Sequence, residues 1–410
     1  MLKVLWFEVT IPSAYREDGI VVGGWQDSLE KVIKMAKDIE LLIAFEAPTG
    51  SKTKVIDGVT YIPIDTGSSF SSKIRRVFHD PTNSERLVNE SLKIINTYQP
   101  DIIHVFGNEW PFGLVSKFTK IPVVIHIQGS IVVYNNTEFP PGYSGNTLNP
   151  IKFCKNKLML KWNTERENIE REIWENVKYY MGRTHWDKAL ARVLNPSAKY
   201  FHVDEALRPI FLDSSKCQWQ QSHDRTIQLI TTGSPSFRKG FDMMLKTANI
   251  LKQSGVDFRW IVAGKLDVSM KNTVEKKEKL RMEDCGIEIL GFTSPENLVK
   301  LLASSTLYVH TAYAENSPNS ICEAQIIGLP VVSTNVGGIA SLVEDGVDGR
   351  LVPANDPWQM ADAIIQLSRD SEMLNSYSTH GKEKAFKRHS PESILKDLLF
   401  CYNEVLDDSK

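Results

Sequence analysis

The chain has 410 residues, more than one ordinary hydrophobic core organises, so two domains are expected. Hydrophobic residues make up 42% and charged residues 24%, an ordinary globular balance, and a formal net charge of −2 gives no overall pull towards nucleic acid. No run approaches the ~18–20 apolar residues of a membrane-spanning helix, which leaves a soluble protein or one bound at a membrane surface.

Met1–Glu8 has no long apolar core and no cleavage site, so it reads as a first strand and not a signal peptide. Lys3–Val9 is predicted as that strand. A polar loop, Thr10–Gly24, ends in Gly23-Gly24 before a predicted helix, Trp25–Lys37. A glycine pair between a strand and a helix lets backbone approach a ligand closely. Glu40–Phe45 is a second strand, and Lys54–Ile64 alternates around Asp57-Gly58, the pattern of a hairpin. Asp65–Pro81 is a polar loop containing Arg75 and Arg76, and Thr82–Tyr98 is an amphipathic helix. Asp101–Phe106 and Val123–Ile127 are buried strands with a short helix between them. This alternation argues for parallel α/β architecture.

His104 and His126 lie on strands, where histidines are mostly satisfied core groups. Gln128 and Gly129 end a strand and open a loop, the place where binding residues collect in such sheets. Ser130–Pro150 is a long loop assigned to acceptor recognition. Lys152–Val177 is a long helical stretch in which Lys152, Lys155, Lys157 and Lys161 alternate with apolar residues. That pattern fits either peripheral contact with an anionic membrane surface or a helix packed on the sheet with its Lys in water; the Glu-rich sequence that follows favours the second. Lys178–Arg183 and Tyr200–Asp204 are strands, and Arg183 ends the first of them.

Residues 1–205 are therefore expected to form one parallel α/β domain, 206–225 an irregular polar connection, and 226–390 a second such domain. Thr226–Thr232 restarts the alternation, followed by the loop GSPSFRKGFD and a helix to Gln253. Phe258–Ala263, Ile287–Leu290 and Leu307–His310 are further strands. Gly264-Lys265 and Gly291-Phe292 sit at strand ends, and Asp345-Gly346 and Asp348-Gly349 read as turns. Pro391–Leu406 is amphipathic.

The most informative stretch is Ala314–Gly338. A polar loop follows the apolar run Leu307–Thr311, and then a helix to Ile327 is predicted, with Ser317 as N-cap and Pro318 in the first helical position. Gly328 suits a left-handed C-terminal turn, and Pro330–Thr334 is the next buried strand. A helix N-terminus at the carboxyl end of a strand binds anions, because its first N–H groups have no internal partner and the dipole favours negative charge. Glu315 and Glu323 bracket this turn, and carboxylates are good acceptors for sugar hydroxyls. A ligand with phosphate in the middle and hydroxyls on both sides fits, and a nucleotide sugar is such a ligand. No Asp-x-Asp pair and no His or Cys cluster with metal-ligand spacing occurs, so no metal is expected. The five Cys are scattered, and their odd number suits reduced thiols in the cytoplasm.

Glu315, Glu323, Ala324, Gly328, Pro330, Val331, Val332, Gly337 and Gly338 resemble the donor site of retaining glycosyltransferases of family 4. The resemblance, to glycogen synthase-like and capsular polysaccharide enzymes, implies the GT-B fold: α/β, two Rossmann-like domains with mostly parallel sheets facing across a deep cleft. It assigns 1–205 to the acceptor side and 226–390 to the donor side, and it implies that 391–410 returns to brace the first domain. It also implies that Glu315 contacts the transferred sugar and Glu323 the ribose, while backbone N–H groups of Asn319, Ser320 and Ile321 meet the diphosphate. The loop with Gly23 and Gly24 would face the donor phosphates or the acceptor. Lys239-Gly240 matches the family's Lys-Gly, whose Lys clamps the diphosphate. Ser234 stands where an Arg is usual, so Arg238 or Arg183 is expected to supply that charge. Gln128 stands where many members have a His; it can hydrogen-bond the sugar but carries no proton.

The implied reaction moves a sugar from a nucleotide diphosphate sugar, a UDP- or GDP-sugar, to a saccharide or lipid-linked acceptor in polysaccharide or glycoconjugate biosynthesis. No other cofactor and no nucleic acid is expected. The location implied is cytoplasmic or peripheral at the inner face of the membrane. Two alternatives share the scaffold: a nucleotide-sugar epimerase or phosphorylase, and a non-catalytic subunit that binds a nucleotide sugar.

Overall fold

The computed structural model describes residues 1–16, 24–65, 82–144, 153–213, 218–221, 225–233 and 236–410, with 153–160 as backbone only. Gly23, Ser234, the Arg75-Arg76 pair, Lys152 and the side chains of Lys155 and Lys157 lie outside the described residues. The chain forms two compact units. One comprises Met1–Asn135, Cys154–Ala206 and His389–Lys410; the other comprises Asn136–Phe153 and Leu207–Arg388.

The first unit is built on β1 (Leu2–Glu8), β2 (Ile39–Ala47), β3 (Lys54–Ile56), β4 (Val59–Asp65), β5 (Ile102–Phe106), β6 (Val123–His126), β7 (Tyr179–Gly182) and β8 (Lys199–His202). Their order is β3-β4-β2-β1-β5-β6-β7-β8, parallel apart from the β3–β4 hairpin. Asp57 and Gly58 turn that hairpin with φ of 48° and 80°, the positive values that an Asp-Gly turn supplies. Every residue of β5, β6 and β7 is buried. Helices cover both faces of a parallel sheet, so its strands read as unbroken apolar runs.

One face of this sheet packs on the helix Pro391–Asp407. Ile394, Leu398, Cys401, Tyr402 and Val405 form one stripe of that helix, buried with Trp6, Leu29 and Ile43. Polar groups are carried into this core, and one hydroxyl there serves two of them. Trp6 Nε1 donates to the Tyr402 hydroxyl at 3.0 Å, and His104 Nδ1 lies 2.7 Å from the same oxygen. Burial holds the His104 pKa down near 3, so the ring is neutral. His104 and His126 are both fully buried.

The second unit contains β9 (Ile227–Thr232), β10 (Phe258–Ala263), β11 (Ile287–Gly291), β12 (Leu307–His310), β13 (Val331–Thr334) and β14 (Gly349–Val352). All are parallel, in the order β11-β10-β9-β12-β13-β14. Counted from its first strand this is 3-2-1-4-5-6, so the winding reverses between β9 and β12. The first unit reverses likewise between β1 and β5. Ligands of open α/β sheets bind at such switch points, outside the carboxyl ends of the strands.

Three elements differ from the sequence expectation. The segment from Leu207 is not a free connection, because Leu207, Phe211 and Trp219 are buried in the second core and Trp219 Nε1 donates to Ser305 O at 2.8 Å. Its Gln-rich surroundings mask these anchors. Part of the loop 130–150 also belongs to the second unit, where Tyr143 is buried and donates to Glu278 Oε1 at 2.6 Å. The helix His185–Leu194 was not predicted. It is opened by a capping box in which Thr184 accepts from the Asp187 N–H and Asp187 accepts in return from the Thr184 N–H.

Tyr402→Phe removes the one hydroxyl shared by Trp6 and His104. The variant is expected to lose about 1–3 kcal/mol of stability in urea unfolding at pH 7, and an unchanged midpoint would contradict a structural role for the shared bond.

Candidate active site

At the switch point of the second unit, two loops are closed onto each other by backbone and glycine contacts. The loop after β9 reaches Gly240, and the loop after β12 runs from Thr311 to Pro318. Thr311 Oγ1 donates to Lys239 O at 2.9 Å, and Tyr313 N donates to Arg238 O at 2.7 Å. Gly240 has φ 71°, and a Cβ there would overlap the Thr311 carbonyl oxygen. Gly337 has φ 53°, and a Cβ there would overlap the carbonyl oxygen of Glu315. Only glycine permits either approach.

These contacts fix a charged group. Lys239 Nζ is ion-paired with Glu315 Oε1, and His310 Nε2 donates to the same oxygen at 3.1 Å. Behind them the Tyr308 hydroxyl lies 3.5 Å from His310 Nδ1 and 3.0 Å from Thr232 Oγ1. Burial pushes the Tyr308 pKa up to about 12. Burial alone would also raise that of Glu315, but the Lys239 charge and the His310 bond outweigh it and hold this carboxyl down at about 2. Glu315 is therefore ionised, and a cation stands beside it at the carboxyl end of the sheet.

The helix beyond this loop runs Asn319–Ile327, one residue later than predicted. Pro318, not Ser317, is the N-cap, with φ −72° and ψ 115°. The Ile321 N–H already donates to Pro318 O at 2.9 Å. Asn319 and Ser320, both half-buried, thus carry the N–H groups that precede the helical ladder. Gly328 closes the helix with φ 93°.

Glu323 is buried in this helix. Arg208 Nε and Nη2 donate to its Oε1 at 2.9 and 2.7 Å, and Arg208 also lies over the Phe211 ring at 4.6 Å. Burial raises the Glu323 pKa and Arg208 offsets part of that rise. Sequence reasoning missed Arg208, which is 115 residues away; the only signal was that a carboxylate among apolar neighbours needs a cation. Arg238, half-buried, contributes its carbonyl to the loop contact above.

In the first unit Gly24 is exposed and precedes the helix Trp25–Ile33. Gln128 is half-buried beyond β6. Arg183 is committed elsewhere than expected: it is buried, with Nε 3.1 Å from Glu205 Oε2 and its guanidinium over the Trp25 ring at 4.8 Å. The Glu205 carboxylate thus offsets the charge that was expected to meet a phosphate. Sequence reasoning also missed Glu170. This fully buried carboxylate accepts from Asn108 Nδ2 at 2.6 Å, Ser130 Oγ at 2.7 Å, Ile131 N at 2.5 Å, Val132 N at 3.0 Å and Trp174 Nε1 at 3.2 Å. It thereby ties the loop after β5 to the loop after β6.

Comparison with known proteins agrees with this architecture. Residues 216–384 match the family model for glycosyl transferases group 1. The putative colanic acid biosynthesis glycosyltransferase WcaL of Salmonella typhimurium is 28% identical over 179 residues, which are 42% of this chain and 44% of that relative. Sucrose-phosphate synthase from Thermosynechococcus elongatus superimposes with a TM-score of 0.75 at 14% identity, covering 100% of both chains. Anabaena Alr3699/HepE, in a structure with UDP-glucose, gives a TM-score of 0.64 at 14% identity over 98% of this chain and 100% of that one. The fold is GT-B. No helix among the described residues is long and apolar enough to cross a membrane.

The ionisation of Glu315 has a definite sign. Its folded pKa is about 2 against an ordinary 4.5, so its contribution to stability is full above pH 4.5 and is lost as pH falls towards 2. Glu315→Gln should remove about 3 kcal/mol of that acid-dependent stability. Urea unfolding between pH 6 and pH 2 checks this, and parallel pH profiles for the two proteins would contradict it.

Proposed function

We infer that this chain is a retaining glycosyltransferase of family 4 that moves a sugar from a UDP- or GDP-sugar to a saccharide or lipid-linked acceptor, without a metal ion. The observation that carries this reading is the pairing of Lys239 with an ionised Glu315 beside the N-terminus of Asn319–Ile327 at a sheet switch point. It is supported by the group 1 match over 216–384 and by the polysaccharide-synthesis relative.

On this reading the diphosphate lies on the N–H groups of Asn319 and Ser320, with Lys239 neutralising the charge that develops as the anomeric C–O bond breaks. Glu315 accepts hydrogen bonds from ring hydroxyls of the transferred sugar, and His310 holds it in place. Both bonds from Arg208 fall on Oε1 of Glu323, so its Oε2 is the atom assigned to the ribose hydroxyls. The acceptor hydroxyl attacks on the face the leaving group departs from, and its proton passes to the departing phosphate oxygen. Retention follows from that geometry. The reaction is assigned to the cytoplasm or the inner face of the membrane. Cys285 and Cys401, buried thiols outside any disulfide, suit that assignment.

A thermal-shift panel of UDP-, GDP- and ADP-sugars identifies the donor. With that donor, Lys239→Ala should lower kcat about 100-fold or more, as loss of one transition-state charge partner does. Glu323→Gln should raise the donor KM with a smaller change in kcat. Activity should persist in excess EDTA. A Lys239→Ala enzyme with unchanged turnover would contradict the assignment of the diphosphate.

A further inference from the structure

The first unit has its own switch point, between β1 and β5, and the loop after β5 contains Glu109. Its neighbours on both sides are tied down. Asn108 donates to the buried Glu170 at 2.6 Å, and Trp110 Nε1 donates to Glu46. Glu109 itself is only partly buried, and no hydrogen bond from another described residue reaches its carboxyl. The carboxyl occupies a slot made by two glycines. A Cβ at Gly107, where φ is 87°, would stand 2.6 Å from Glu109 Oε2, and one at Gly129 would stand 2.6 Å from Oε1 and 2.5 Å from the Tyr134 hydroxyl. The side chain of Gln128 borders the same slot, its Cδ 3.7 Å from that Gly107 position.

The charges around this group differ in kind from those around Glu315. Burial and then the Glu170 charge raise the Glu109 pKa to about 7, and its own backbone N–H, then Arg166 and Arg183, offset part of the rise. A carboxyl near half-ionisation both donates and accepts hydrogen bonds, which matches a sugar hydroxyl. It disfavours an anionic group, because Glu170 stands behind it and Arg183 is already paired with Glu205.

We propose that Glu109, with Gln128 beside it, recognises the acceptor by hydrogen-bonding a hydroxyl of an uncharged sugar. This rests on the glycosyl-transfer reading and adds to it the side chain that selects the acceptor and the chemical class it selects. Glu170 is a positioning residue that holds the two loops of the slot. Glu109 forms no covalent bond, and the proton of the attacking hydroxyl leaves with the phosphate as above.

The test uses the full-length protein, the donor found by thermal shift and a panel of neutral p-nitrophenyl hexosides as acceptors. Donor hydrolysis and acceptor transfer are measured separately. Glu109→Ala should lower acceptor kcat/KM about tenfold or more, the worth of one lost hydroxyl bond, with donor KM and donor hydrolysis within about twofold of the unmodified protein. Glu109→Gln, which keeps a donor and an acceptor, should recover part of the loss. The proposal is overturned if Glu109→Ala keeps acceptor kcat/KM within about twofold, or if donor KM rises in parallel. It is also overturned if the unmodified protein hydrolyses donor but transfers to none of the hexosides. Failure of the functional reading looks different: the unmodified protein would neither bind nor hydrolyse any nucleotide sugar, and both claims would fall.

Discussion

One ion pair organises the second unit. Lys239 and Glu315 come from different loops, 76 residues apart, and meet where the winding of the sheet reverses. Taking a carboxylate out of water costs several kcal/mol, so such a pair adds little net stability even with His310 as a third partner. What it does provide is an oriented cation and an ionised acceptor at the carboxyl edge of a sheet. The backbone around it is arranged to hold that geometry. Gly240 and Gly337 each admit a carbonyl where a side chain would overlap it, and Thr311 and Tyr313 stitch the two loops together. Strongly perturbed, well-supported groups of this kind collect at functional sites.

The two units share one frame and put different chemistry on it. In each, a glutamate follows the strand that lies across the reversal from the unit's first strand. Glu315 has cationic company and its pKa sits near 2, whereas Glu109 has Glu170 behind it and sits near 7. Environments that push two carboxyls apart assign them different tasks. In our reading the ionised one belongs to the donor sugar and the half-ionised one to the acceptor.

Much of this was legible in the chain. Parallel strands buried on both faces appear as short apolar runs, and β1, β2, β5, β6, β9, β10, β12 and β13 lie within a residue or two of the positions expected. Asp57-Gly58 and Gly328 announced their positive φ values. The acidic pair and Lys239 were found by resemblance. The misses share a cause: a contact between distant residues leaves no periodic trace. Arg208 against Glu323, Arg183 against Glu205, and the five donors around Glu170 depend on the folded topology. Trp219 was hidden by polar neighbours. The Thr184–Asp187 capping box is legible in Thr-His-Trp-Asp. Glu109 stands alone in Gly-Asn-Glu-Trp, and nothing in that tetrapeptide marks a carboxyl that no hydrogen bond from another described residue reaches.

In our reading the switch point of the second unit takes a diphosphate. A crystal structure with UDP or GDP, whichever stabilises the protein, tests it most directly. The β-phosphate is expected within hydrogen-bonding distance of the Asn319 and Ser320 N–H groups and of Lys239 Nζ, with the ribose on Glu323. A nucleotide bound with its phosphates elsewhere, and the Lys239–Glu315 pair untouched by it, would contradict the account.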